Sequence, residues 1–143
     1  MHTRIVPFVA FALGAFLTTT SSANAQTLKF QAKLDAAQEV PANDSKGKGT
    51  ADVMYDTSTK NLTWTITFDG LTGPATVAHF HGPAEPGKTA GVALPIGQKP
   101  TSPVKGNATL TDAQAADLMA GRWYVNVHTE ANKAGEIRGQ VTK

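Results

Sequence analysis

The segment VAHFHGP places two histidines, His79 and His81, at the end of an apolar run. In an extended chain, residues two apart project from the same face, with Cα atoms about 6.6 Å apart. Imidazoles in such positions can reach one ion at metal–nitrogen distances of about 2.0–2.1 Å. Gly82 and Pro83 end the run at once, which favours a fixed site over a mobile loop.

A third histidine, His128, ends the segment RWYVNVH. If this segment is a strand, Tyr124, Asn126 and His128 share one face. Pairing of the two strands would then complete a three-imidazole site. All-imidazole ligation suits one copper or zinc ion and does not suit calcium or magnesium. The alternative is that the histidines have a purely structural role and hydrogen-bond loop backbones.

Other polar residues in these and nearby segments are candidates for supporting roles. Asn126 is placed to orient His128. Tyr124, on the same face, is expected to have a packing role or to line the site. Glu39, in AAQEVPA, would be a fourth ligand, an acceptor for an imidazole N–H, or a carboxylate that accepts backbone N–H bonds in a turn. Glu136 and Arg138 share a strand face, which predicts a cross-strand ion pair or a bond to the loop TEANK.

Strand-like patterns surround these segments. In LTWTITF, apolar residues alternate with threonines, which indicates a strand with one buried face. Similar alternation covers Leu28 to Leu34 and Ala51 to Tyr55, and GVALPIG reads as an edge strand because Pro95 lacks an N–H. We expect two more strands that pair with each other, RWYVNVH and GEIRGQV, and we refer to them as the closing pair. Trp64 and Trp123 fall on apolar faces and are expected in the core.

One segment has helical rather than strand-like spacing. TDAQAADLMAG carries a Thr-x-x-Gln capping box and ends on Gly121, which predicts a short helix over about residues 111–121. The sequence therefore predicts an all-β fold, an antiparallel immunoglobulin-like sandwich or a partly closed barrel, with one short helix.

The first residues have the order of a secretory signal peptide. Arg4 precedes an apolar run from Ile5 to Leu17, and Ala23-Asn24-Ala25 is a small-x-small cleavage site. We expect cleavage of residues 1–25 and a single domain over residues 26–143. The product would be secreted or periplasmic, with no membrane span.

Composition excludes several kinds of site. The sequence has no cysteine, so disulfides, thiolate metal sites and type 1 blue copper are excluded. Without Arg4, 12 basic and 11 acidic residues remain. No basic stripe interleaves with aromatic residues, which argues against a nucleic-acid partner.

Taken together, these segments resemble the CHRD domain, a family named for the animal protein chordin and common in exported microbial proteins. The likeness rests on AHFHGPAEPG, on YVNVHT with GEIRG, and on the opening FQAKLDAAQEVPA. It covers nearly the whole chain beyond residue 25. The resemblance implies an all-β fold and marks seven recurrent positions, namely Glu39, His79, His81, Asn126, His128, Glu136 and Arg138.

Three functional hypotheses follow. The first is a small exported binding module with a copper or zinc site formed by His79, His81 and His128. The second is an extracellular structural or protein-interaction module without a metal, with an unknown protein partner. The third is a metalloenzyme, which needs an accessible pocket beside the imidazoles. The sequence contains no nucleophile motif, phosphate loop or paired carboxylates that would indicate another enzyme class.

Overall fold

The computed structural model describes residues 24–143 and contains eight strands and one helix. The predicted signal peptide, residues 1–25, lies almost wholly outside the described residues and stays a prediction. The strands are β1 (Thr27–Asp35), β2 (Lys48–Asp56), β3 (Asn61–Asp69), β4 (Ala75–His81), β5 (Val92–Gln98), β6 (Val104–Thr109), β7 (Trp123–Thr129) and β8 (Ile137–Val141). The helix, α1, spans Asp112–Met119, and a single 3-10 turn (Ala36–Gln38) follows β1.

All strands join one antiparallel sheet in the order β5-β4-β7-β8-β1-β2-β3-β6. The sheet curls into a nearly closed barrel, so the prediction of an antiparallel β fold with one helix is confirmed. The predicted edge strand is β5, and the predicted closing pair is β7 with β8. Strand β4 therefore lies between β5 and β7, which brings the two histidine-bearing strands side by side.

Alternation along the strands sorts the side chains into an inner and an outer face. Phe80 on β4 and Val125 and Val127 on β7 point inward and are fully buried. They join a core that includes Trp64 and Trp123, as the sequence predicted; the two tryptophans pack on Phe80. Burial of these apolar faces fixes the register, because a shift by one residue would expose them.

The helix begins as its capping box predicts. Thr111 accepts a hydrogen bond from the Gln114 backbone N–H, and the Gln114 side chain accepts one from the Thr111 N–H. Gly121 follows with a φ of 71°, in the left-handed region that favours glycine. No helix of residues 24–143 has the length and hydropathy needed to cross a membrane.

Candidate metal centre

The register between β4 and β7 places three histidines on the outer face of the sheet. His79 lies opposite Asn126, His81 opposite Tyr124, and Val77 opposite His128. Directly opposed residues of an antiparallel pair share a face. Because Phe80, Val125 and Val127 point inward, the imidazoles, Tyr124 and Asn126 all lie outside.

The three imidazoles are close neighbours. Ring centroids are separated by 5.4 Å for His79 and His81, 5.3 Å for His79 and His128, and 6.3 Å for His81 and His128. One nitrogen from each ring lies within 4.8 Å of the other two. A tetrahedral ion would hold such nitrogens about 3.3 Å apart, given metal–nitrogen distances of about 2.0–2.1 Å. Small side-chain rotations would therefore be enough to close a three-nitrogen site.

Backbone carbonyls fix the tautomers of two of these rings. Nδ1 of His81 lies 3.0 Å from the Ala90 carbonyl oxygen, and Nδ1 of His128 lies 2.9 Å from that of Lys133. A carbonyl oxygen only accepts, so each Nδ1 must carry the proton. The Nε2 lone pair of each ring is then free, which is the form that binds a metal.

Each ring also has one buried nitrogen without a hydrogen-bond partner among the described residues. These atoms are Nδ1 of His79, Nε2 of His81 and Nε2 of His128. Buried polar atoms in folded proteins almost always have a partner, because leaving one unsatisfied costs about 1–3 kcal/mol. Three such atoms on three adjacent rings are the donor set that an imidazole-bound ion would satisfy.

Burial favours the neutral form of two of the rings. It lowers the pKa of His79, and the neighbouring His128 adds to this. Burial likewise lowers the pKa of His81, against an opposing hydrogen bond to Ala90. Because a bound metal requires deprotonated nitrogen, lowered pKa values reduce the competition from protons near pH 7.

Tyr124 packs directly against the cluster. Its ring stacks on the His81 ring with centroids 4.9 Å apart and an interplanar angle of 4°. Its hydroxyl accepts from the Ala90 N–H at 3.2 Å and lies 3.3 Å from the Ala90 carbonyl oxygen. The residue Ala90 therefore fixes both members of the stack.

Glu39 and Asn126 form a buried pair beside the histidines. The side-chain amide of Asn126 donates to Oε1 of Glu39. Burial raises the pKa of Glu39 to about 7, although the positive charge of Arg138 and a hydrogen bond from the Val40 N–H act to lower it. The Glu39 carboxylate is not among the groups whose atoms meet within 4.8 Å in the histidine cluster.

Glu136 and Arg138 diverge in the structure. Glu136 is fully buried and accepts hydrogen bonds from Thr129 and Asn132, so the expected bond to the loop TEANK is present. Arg138 instead lies with Cζ 3.5 Å from the centroid of the Tyr124 ring and donates to the Lys88 carbonyl at 2.6 Å. The three ion pairs of the described residues do not include a Glu136–Arg138 pair.

Sequence reasoning missed several groups that shape this site. Gly135 has a φ of 136°, and a Cβ there would lie 2.6 and 2.7 Å from the Glu39 carboxylate oxygens. Its position inside GEIRG and its lack of a side chain were the available signals. The carbonyls of Ala90 and Lys133 carry no signal, because every residue has one.

A cavity of about 270 Å³ opens on one side of the cluster. Of the three histidines, His81 lines this cavity, and His79 and His128 do not. Its other lining residues are Glu39, Val40, Thr89, Ala90, Tyr124, Asn126, Ala134 and Arg138.

The model of the CHRD domain family matches residues 30–141 of this chain. No curated protein and no solved structure matches the chain.

Proposed function

Because the chain belongs to the CHRD-domain family, we propose that it is a small binding module of the extracellular type whose ligand is one copper or zinc ion. His79, His81 and His128 would be the protein ligands. A three-imidazole set leaves one coordination position for water or another ligand. Copper(II) is favoured by intrinsic affinity, and zinc by a tetrahedral site with one water.

One observation carries the proposal. Each of the three adjacent rings has a buried nitrogen without a partner among the described residues, and one nitrogen of each ring lies within 4.8 Å of the other two. Histidines that served only to hold loops would use one nitrogen each for that purpose, as His81 and His128 do with Nδ1. They would not need to turn a second, desolvated nitrogen toward a common centre.

The test is metal analysis of untagged protein after incubation with copper(II) or zinc and removal of excess ion. We expect about one equivalent in the natural protein and a loss of at least about tenfold in affinity for His79→Ala and His128→Ala. Lys105→Gln, an exposed change on β6, is the control and should bind as the natural protein does. Stoichiometry near zero in the natural protein would end the proposal.

The second candidate, a module that binds proteins without metal, is favoured by the sheet edges. Strands β5 and β6 each have one neighbour in the sheet, and Val92 at the start of β5 is 54% exposed. Unpaired edges and exposed apolar side chains are sites at which another chain can add. Under this reading neither ion would change the melting temperature, since a ligand that binds only the folded state must raise it.

A further inference from the structure

Arg138 is a buried cation that forms no ion pair among the described residues, although its charge acts on the buried carboxyl group of Glu39. Only 2% of the surface of Arg138 is exposed. Arginine is almost never buried this completely unless it is paired, because desolvation of a charge is costly. The buried charge of Arg138 must therefore be compensated by its surroundings.

The contacts of Arg138 compensate it in part. The guanidinium lies over the Tyr124 ring, where the cation is attracted to the face of the aromatic ring. In its plane the group has five N–H donors, and the described residues provide one acceptor, the Lys88 carbonyl, for Nη2. Among residues 24–143, Nη2 is the only nitrogen of this guanidinium with a protein acceptor.

Arg138 also lines the cavity of about 270 Å³ beside His81. That volume lies just below the roughly 300–1,000 Å³ of pockets for drug-sized ligands. Polar groups line part of the wall, and Val40, Ala90 and Ala134 make another part apolar. The cavity thus suits a small molecule with one charged end and a short carbon chain.

The charge balance selects the sign and size of the ligand charge. Arg138 is always protonated. Glu39, the other group that carries charge at the wall, is partly neutral at pH 7 because burial raises its pKa to about 7. When Glu39 is protonated, the wall carries one net positive charge, which one negative charge balances and two would exceed.

We propose that this cavity binds a small monocarboxylate, of the size of acetate or propionate, with its carboxylate on Arg138. A guanidinium edge matches a carboxylate with two parallel hydrogen bonds. The carbon chain would pack on Val40, Ala90 and Ala134. The proposal goes beyond the metal site and does not require a bound ion.

The test is an NMR titration of ¹⁵N-labelled, chelator-treated protein with sodium acetate at constant ionic strength. We expect saturable shifts of the Arg138 side-chain N–H and of the amides of Thr89 and Ala90. Arg138→Gln should abolish the saturable shifts, whereas Lys105→Gln, which removes a distant exposed charge, should leave them unchanged. Unsaturable shifts in the natural protein, or saturation that survives Arg138→Gln, would overturn the proposal.

Two further arms keep the result decisive if Arg138→Gln does not fold. Ala134 is exposed at the cavity wall, so Ala134→Leu would narrow the cavity without disturbing the core and should weaken acetate binding several-fold. Unchanged binding in that variant would count against this cavity. Sodium sulfate should shift the same signals weakly, and tighter binding of sulfate than of acetate would refute the monocarboxylate. Because the protein is metal-free, the outcome is independent of whether the histidines bind a metal.

Discussion

Glu39 holds an ionisable carboxyl group at 7% exposure, with one oxygen on the Asn126 amide and Gly135 packed against both oxygens. Burial raises its pKa from 4.5 to about 7. The folded protein therefore binds more protons than the unfolded chain between these values. Stability must fall as pH rises through this window, since the folded state has to accept a charge that the unfolded chain carries in water.

We expect Glu39→Gln to stabilise the metal-free protein by about 1–3 kcal/mol at pH 8 relative to the natural protein. At pH 5 the gain should largely disappear, because the natural carboxyl group is then neutral when folded. The glutamine oxygen can still accept the bond from Asn126. Urea unfolding between pH 5 and pH 8 measures the difference.

The control for this change is Glu85→Gln, an exposed position that should shift the unfolding free energy by less than about 0.5 kcal/mol. A Glu39→Gln gain that stays constant across the pH range would show that Glu39 does not titrate as described.

At this scale the sequence was informative about side chains and uninformative about backbone groups. The spacing of His79 and His81 was enough to predict that these two rings share a face, because strand periodicity fixes which way side chains point. That His128 joins them depended on the pairing of its strand with theirs, which the sequence left as a condition. The carbonyls of Ala90 and Lys133, which set the tautomers, could not be foreseen. Their roles depend on loop paths that no residue type specifies.

Between the strands, the buried carboxylate of Glu136 ties three loops together. It accepts hydrogen bonds from Ser45 at 2.5 Å, from the backbone and hydroxyl of Thr72 at 2.7 and 2.8 Å, and from Thr129 and Asn132. Burial alone would raise its pKa, but these hydrogen bonds outweigh burial and lower the pKa to about 2. The loop after β7, which orients His128 through Lys133, is thus anchored to the loops after the 3-10 turn and after β3.

Because the folded-state pKa is depressed, the ionised Glu136 stabilises the fold at pH values above 4.5, and this contribution is lost as pH falls toward 2. We expect Glu136→Gln to lower the free energy of unfolding at pH 7 by about 3 kcal/mol or more, since an amide presents a donor to a ring of donors. Denaturant unfolding at pH 7 measures the loss of unfolding free energy. The same measurement at pH 3 should show a smaller difference between the variant and the natural protein.

Glu130→Gln is the matched change in the same loop. Glu130 is exposed and pairs with Lys133 on the surface, so its loss should cost less than about 1 kcal/mol. Equal losses for the two variants would contradict the anchoring role of Glu136.

The elements themselves were predictable to different degrees. Strongly periodic segments such as LTWTITF and the capped helix at Thr111 were found, because burial and capping leave a clear residue pattern. Strand β6, with the sequence VKGNAT, gave no such signal. It forms at the sheet edge, where none of its own residues is fully buried, and its pairing with β3 comes from the tertiary fold.

For the whole molecule, the proposed metal binding would be linked to folding. An ion that binds only the folded state at 100 times its dissociation constant adds about 2.7 kcal/mol. For a domain of this size we expect the melting temperature to rise by about 10 °C at pH 7.5. The rise should be smaller at pH 5, because protons compete with the ion for the imidazole nitrogens. Burial lowers the pKa values of His79 and His81 below 6.5, so the loss should occur at lower pH than for free histidines.

Calorimetry with and without the ion at pH 7.5 and pH 5 measures this effect. At the same ion concentration, His81→Ala should show at most about half of this rise at pH 7.5, since a tenfold loss of affinity lowers the stabilisation from about 2.7 to about 1.4 kcal/mol. A rise of equal size in that variant would mean that the ion stabilises the fold from elsewhere.

The histidines stand on paired strands, whereas the two carbonyls that aim His81 and His128 belong to connecting loops. The paired strands hold the backbone of the histidines rigidly, and the loops fix the orientation of the two imidazole rings. A partner that gripped either loop would pull a carbonyl away from its ring and free that ring to turn. The residence time of the proposed ion would then depend on a contact made at the loop, with no rearrangement of the barrel and no contact with the ion itself.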